Sequence, residues 1–176
     1  MDSARAFQGT LEEIGGVLLV RLPAEVSSTF PTRGMAMAEG TLGDLPFVLP
    51  LEPDGEGGHF LMLPPELAAQ AGLKTGEMAS LRLKPTANWP EPELPDDFRQ
   101  SLEAMGLMGR YLACTVKGRW EWLRWMRATN SPQTRQKRIA VACDKLSKGD
   151  KRPCCFNSAA CTVMAVCRTG ILQSAN

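Results

Sequence analysis

The chain is poor in the residues that most enzymes use. Of its 176 residues one is histidine, His59. A hydrolase of the triad type needs its imidazole beside a nucleophile, and no Gly-x-Ser-x-Gly elbow occurs. The glycine-rich stretch Gly55-Glu56-Gly57-Gly58 lacks the Gly-Lys-Ser/Thr ending of a phosphate loop, and strand-like sequence follows it where a helix would be needed. The six cysteines contain no Cys-x-x-Cys pair, so the spacing of a zinc knuckle is missing. No apolar run approaches the roughly 20 residues that span a bilayer. The first residues, Met1-Asp2-Ser3-Ala4-Arg5, show no basic region leading into an apolar stretch. The expectations are a cytoplasmic protein with reduced thiols, no membrane association, no cofactor and no enzymatic activity.

The hydrophobic fraction, 44%, is enough for a core. Charge is divided unevenly. Residues 1–90 hold 6 Lys/Arg against 11 Asp/Glu, and residues 91–176 hold 14 against 8. The basic excess lies between Lys117 and Arg152. It reads either as a solvated helical face or as a surface for an acidic or polyanionic partner.

A phrase repeats in the first half. Leu22-Pro23-Ala24-Glu25-Val26 returns as Leu63-Pro64-Pro65-Glu66-Leu67. Each copy follows an apolar, strand-like run, leads through a short helical segment to a glycine (Gly34 or Gly76), and enters alternating sequence again. Two such units imply a β-barrel made of two related halves. The spacing predicts strands near 7–12, 17–22, 35–42, 45–51, 59–63 and 78–84, with short helices after Pro23 and Pro64. The run 17–22 is apolar throughout and so is expected to be buried on both faces.

Pro90, Pro92 and Pro95 mark a stiff, extended segment. Beyond it the period becomes helical. Helices are expected from Asp96, from Arg119 to Thr129 with Trp120, Trp122 and Trp125, and from Ser131-Pro132 to about Lys148. The segment 111–116 reads equally as strand or loop. Four regions result: a barrel at 5–86, a Pro-rich linker at 87–95, a helical region at 96–150 and a Cys-rich tail at 151–176.

Certain residues carry a family resemblance. Val26-Ser27, the Arg33-Gly34 turn, Gly40-Thr41-Leu42-Gly43, Pro46-Phe47, the loop before His59 and Leu73-Lys74-Thr75-Gly76-Glu77 resemble a bacterial domain-of-unknown-function family. Its double-split β-barrel is shared with AbrB-like transition regulators and antitoxins. Trp122 to Thr129, Thr134-Arg135, Arg138-Ile139 and Arg152-Pro153-Cys154-Cys155-Phe156-Asn157 are similar to the YdeI/OmpD-associated, bacteriocin-protection family. The resemblance spans roughly 7–165. It implies a mainly β fold, a double-split-like barrel with two short helices, followed by a C-terminal helical appendage. It also implies a homodimer through the barrel, and it brings no established activity.

The candidate ligand-binding residues are Arg33, His59 and Lys74 in the barrel, and Arg124, Arg127, Arg135 and Arg138 on the helices. The expected function is a non-enzymatic binding module, associated with stress or bacteriocin protection, with an unidentified ligand. Two alternatives stay open. A nucleic-acid binder would use the basic helices, with tryptophans stacking on bases; packing of those tryptophans in a core is the competing reading. A zinc or thiol-redox protein would use Cys154, Cys155 and Cys161, with Lys151 and Arg152 beside the first favouring thiolate.

Overall fold

In the computed structural model, which describes residues 3–175, the chain forms two compact units. The first runs to Asn88 and takes in the chain again from Ser158; the second is Trp89–Asn157.

The first unit is mainly β. Its strands are β1 (Arg5–Thr10), β2 (Glu12–Ile14), β3 (Val17–Arg21), β4 (Ala36–Leu42), β5 (Leu45–Pro53), β6 (His59–Met62) and β7 (Met78–Pro85). Helix α1 (Ala24–Ser27) joins β3 to β4, and α2 (Pro65–Gln70) joins β6 to β7. The sheet order is β1-β7-β4-β5-β6-β3-β2, with every neighbour antiparallel. The two edge strands are one chain segment interrupted only at buried Leu11. The sheet therefore curls, half-barrel fashion, until its edges lie along the same ten residues. Gly9 allows the closure: a Cβ there would come within 2.5 Å of the Val20 side chain on β3.

The sequence repeat explains the ladder. Leu22 and Leu63 are 41 positions apart. The same offset relates Val20 to Leu61 and Thr41 to Arg82, and each of these is a Cα-partner pair, in β3·β6 and β4·β7. The repeats thus pair antiparallel about a local two-fold. At the same offset β5 corresponds to β1 plus β2: β5 pairs with β4 and β6 as the split strand pairs with β7 and β3. The prolines that end β3 and β6 start each short helix, where a missing N–H costs nothing.

Alternation along the strands sorts two cores. Val20, Leu22, Val26, Phe30, Leu51, Leu61, Leu81 and Leu83 fill the inside of the curl. Leu19 and Phe60, one residue out of phase, face the other way and pack with Cys161, Val166, Cys167 and Leu172. The expectation that the 17–22 run is buried on both faces is met by the returning chain end. That end forms a small hairpin, β8 (Cys167–Arg168) with β9 (Ile171–Leu172), which the sequence reading did not contain.

Close backbone approach seats it. Leu172 N–H donates to the Asp54 carbonyl at 2.9 Å, and Cys161 N–H donates to Gly170 at 2.8 Å. A Cβ on Gly55 would lie 1.9 Å from the Gly170 carbonyl oxygen, and one on Gly15 would lie 2.2 Å from that of Ala165. Gly55 also has φ +83°, a conformation open to glycine but strained for other residues.

The second unit holds α3 (Asp96–Ala104), α4 (Met108–Leu112), α5 (Val116–Arg127) and α6 (Pro132–Ser147). Phe98, Leu102, Tyr111, Trp122, Met126, Ile139, Cys143 and Leu146 form its core. The ambiguous stretch 111–116 is the end of α4, a turn and the first residue of α5. Helix α5 begins one turn earlier than its tryptophans suggest, because Thr115 caps it by accepting from Gly118 N–H at 3.0 Å. Gly118 reads as a helix breaker in isolation. In the fold it makes room for the Lys151 carbonyl, 2.8 Å from where its Cβ would stand. No described helix is long and apolar enough to cross a membrane.

Replacing Gly55 with alanine is expected to cost roughly 1–3 kcal/mol from its backbone conformation, plus the displacement of Gly170. Urea unfolding and limited proteolysis within 158–172 measure this. Gly57→Ala is the control, since Gly57 has φ +90° and nothing within 4 Å of the added methyl. Equal losses in the two variants would show that the chain end does not bear on this loop.

Candidate functional site

The sole histidine lies at the start of β6, following the Asp54–Gly58 loop. Asp54 builds that loop by accepting from the backbone N–H groups of Glu56 (2.7 Å) and Gly58 (2.9 Å). His59 is 1% exposed. Its Nε2 lies 2.8 Å from the Gly34 carbonyl oxygen, which can only accept, so this nitrogen carries the proton. Its Nδ1 then accepts from the buried Ser27 hydroxyl at 2.7 Å. The tilted Phe30 ring lies 6.0 Å from the imidazole, centroid to centroid. Burial is the main reason His59 is held below its ordinary value of 6.5; the Gly34 hydrogen bond works against this, and the Arg33 charge adds to it. Asp54 and the buried Glu52 on β5 are the carboxylates whose charges it senses.

Arg33 joins the same cluster. Its guanidinium donates to the carbonyls of Ser27 (2.9 Å), Phe30 (2.9 Å) and Gly57 (3.0 Å), and to the Ser27 hydroxyl (3.3 Å). It ties the end of α1 to the loop before β6. The structure therefore brings Arg33 and His59 together around Ser27. It places Lys74 apart from them, exposed at the turn between α2 and β7, where Glu77 accepts from the Lys74 backbone N–H at 2.8 Å. A serine–imidazole pair has the atoms of a hydrolytic dyad, but both of these side chains are buried. Ser27 carries the family resemblance but is not among the candidate binding residues that the sequence offers. Its signal was local: a hydroxyl in the repeat at a position where the second copy has Ala68.

The arginines of the helical unit are also drawn inward. Arg124 is 0% exposed; it pairs with Glu121 at 3.0 Å and lies 5.4 Å over the Phe156 ring. Arg135 makes a bidentate pair with Asp97 of α3, at 2.7 and 2.9 Å, which holds that carboxyl below its usual range. Arg138 donates to the Trp125 carbonyl at 2.8 Å, closing the C-terminal end of α5, and lies 5.8 Å over the Trp125 ring. Arg127 is half-buried. Trp122 is in the core and meets Trp125 edge-on at 6.2 Å, and the Trp120 indole donates to the Pro90 carbonyl at 2.9 Å.

Arg119, which the sequence marks only as a helix start, organises this unit. It makes a bidentate pair with Glu91 (2.6 and 2.8 Å) and donates to the carbonyls of Leu112 (3.0 Å) and Cys114. Together with Trp120 it binds the proline-rich segment along α5, so that segment is docked and not free. The exposed cations of the unit are instead Arg110, Lys117, Lys137, Lys148, Lys151 and Arg152.

The thiols divide by environment. Burial pushes Cys114 and Cys143 up. Cys161 is held protonated by its hydrogen bond with Cys167 and by burial. Cys154 and Cys155 are exposed, with their sulfurs 2.8 Å apart. Among the described residues no group of three or more His, Cys, Asp or Glu is arranged to hold a metal ion.

Two family models match. Residues 7–83 match a domain of unknown function (DUF1905), and residues 91–149 match "Bacteriocin-protection, YdeI or OmpD-Associated". Comparison with the curated proteins gives no match.

Two outcomes test these environments. His59 is neutral when folded and binds a proton more readily when unfolded. Its contribution to stability is therefore complete above 6.5 and is lost as pH falls from 6.5 toward its lower folded value. Urea midpoints between pH 7.5 and 5.5 should fall in the wild type and flatten in His59→Gln, which should also be less stable at every pH. Tyr111 is buried against Phe98, its hydroxyl has no hydrogen-bond partner, and desolvation pushes it up to about 12. Tyr111→Phe should leave stability unchanged or raise it by up to about 1 kcal/mol; a loss of more than that would reveal a partner for the hydroxyl.

Proposed function

Because this chain belongs to the YdeI/OmpD-associated family and carries an N-terminal domain of unknown function, we propose that it is a non-enzymatic binding module, working in the cytoplasm in stress or bacteriocin protection. The observation that carries this reading is the state of His59, whose two ring nitrogens are taken by Ser27 and Gly34 inside the fold. General acid–base work needs that ring within reach of a substrate proton. In this reading Arg33 and His59 shape the loops of the β unit, and Arg124, Arg135 and Arg138 shape the helical one.

The ligand face is then made of the cations that remain in water. Lys117, Lys137, Lys151 and Arg152 stand on a helical unit of basic composition. A surface of this kind attracts an acidic protein partner and loses it as salt rises. Recognition by such rim charges governs association more than it governs residence time.

Labelled poly-glutamate serves as the probe, with duplex DNA as the competitor. The full chain should bind poly-glutamate in a salt-dependent way, and the combined Lys117→Gln, Lys137→Gln, Lys151→Gln and Arg152→Gln variant should bind at least about tenfold more weakly. His59→Gln should bind as the wild type does at a temperature where it remains folded. Tighter binding to DNA, with a steep salt slope, would replace this reading with the nucleic-acid one. Loss of binding in folded His59→Gln would return the β unit to the role of ligand site.

A further inference from the structure

We propose that Cys154 and Cys155 are a redox modification site: an exposed adjacent dithiol that a hydroperoxide closes to a reversible vicinal disulfide. The pair lies on the segment that follows α6 in the helical unit. It shares Lys151 and Arg152 with the ligand face proposed above but needs no bound partner.

Geometry is the main support. Both side chains are exposed, and the sulfurs stand 2.8 Å apart. That is within non-bonded contact and about 0.8 Å longer than the roughly 2.04 Å of a disulfide bond. Cys155 has φ 60°, an uncommon conformation for a non-glycine residue, and this turn sets the two side chains side by side. The other four cysteines are buried. The dithiol is therefore the thiol that an oxidant in solution meets first.

Charge supports the same assignment. Lys151 and Arg152 are exposed just ahead of the pair, where their charges favour a thiolate. Against this, the contact between the two sulfurs pushes the Cys155 thiol up. Cys154 is the sulfur nearer in the chain to Arg152 and Lys151, so it is taken as the attacking sulfur and Cys155 as the resolving one.

The chemistry balances in two steps. The Cys154 thiolate attacks the terminal oxygen of the hydroperoxide; an S–O bond forms, the O–O bond breaks, and the departing oxygen takes up the proton that Cys154 released, leaving as water or an alcohol. The Cys155 sulfur then attacks the Cys154 sulfenic acid; the S–S bond forms, the S–O bond breaks, and the hydroxyl leaves as water with the Cys155 proton. Two thiols lose two electrons, and the hydroperoxide gains them. A thiol reductant reverses the change by exchange. Reversal is favoured because adjacent Cα atoms across a trans peptide are about 3.8 Å apart, short of the roughly 4.4–6.8 Å that most disulfides span.

The closed ring has a neighbour to act on. Phe156 follows it directly and forms the aromatic floor beneath the buried Arg124 guanidinium. Closing the ring removes torsional freedom next to that contact, which is how a change at two exposed sulfurs reaches the interior of the helical unit.

The test uses the full chain, fully reduced, desalted and treated with one equivalent of hydrogen peroxide. Titration in denaturant should show free thiols falling from six to four, with dithiothreitol restoring six. Differential alkylation with fragment-ion sequencing should place the lost pair at Cys154 and Cys155. Cys155→Ser should stop at the first step, with a dimedone-trapped sulfenic acid at Cys154. The Cys154→Ser and Cys155→Ser double variant should keep all four of its thiols and its circular dichroism. A disulfide at Cys161–Cys167, a disulfide between chains on a non-reducing gel, or sulfinic acid at Cys154 with Cys155 still free would each overturn the proposal.

Discussion

The antiparallel pairing of two copies of one β-α-β unit is the constraint on which the first unit rests. Val20 meets Leu61 and Thr41 meets Arg82 across the same local axis. Once these pairs are set, each half needs a strand that serves both partners. β5 does this in one piece. β1 and β2 do it with a break at Leu11, whose N–H and carbonyl bond to Glu77 and Gly76 at 2.9 and 2.8 Å. The curl follows because one continuous segment must reach both edges. An antiparallel sheet has two outer strands, and here both belong to that one segment.

Inside that frame, the polar side chains that look functional are spent on satisfying backbone. Arg33 takes three carbonyls at the end of α1 and in the loop before β6, and His59 takes a fourth. Arg119 and Arg138 do the same for the turn before α5 and for its end. Helix ends leave carbonyls without intrahelical partners, and a buried carbonyl without a donor costs about 1–3 kcal/mol. Short helices multiply such ends, and α1 has four residues. Guanidinium groups, with five donors in a rigid fork, suit this task.

The cysteines show how far one residue type can diverge within a short stretch. Cys161 and Cys167 face Leu19 and Phe60 on the outer side of β3 and β6 and behave as small apolar groups. Cys154 and Cys155, only a few residues earlier, stand in water beside lysine and arginine. The chain passes from one compact unit to the other between Asn157 and Ser158, and the two pairs fall on opposite sides of that boundary.

Much of the framework was legible in the residues themselves. The repeat announced two related halves, the period-2 runs announced the strands, and Ser131-Pro132 announced α6, because these signals act over a few neighbouring residues. The mainly β fold with a helical C-terminal part and the two family-model matches both follow from such patterns. The assignment of roles did not. Ser27 beside His59, Glu91 beside Arg119 and Asp97 beside Arg135 are separated by 32, 28 and 38 positions. The small hairpin β8–β9 lacks any period of its own and is defined by the glycines it lies against. Sequence by itself determined the main strands and helices, since local sterics and periodicity decide those. Only the tertiary structure decided which charged and polar groups face water, because burial depends on what the distant chain brings to cover them.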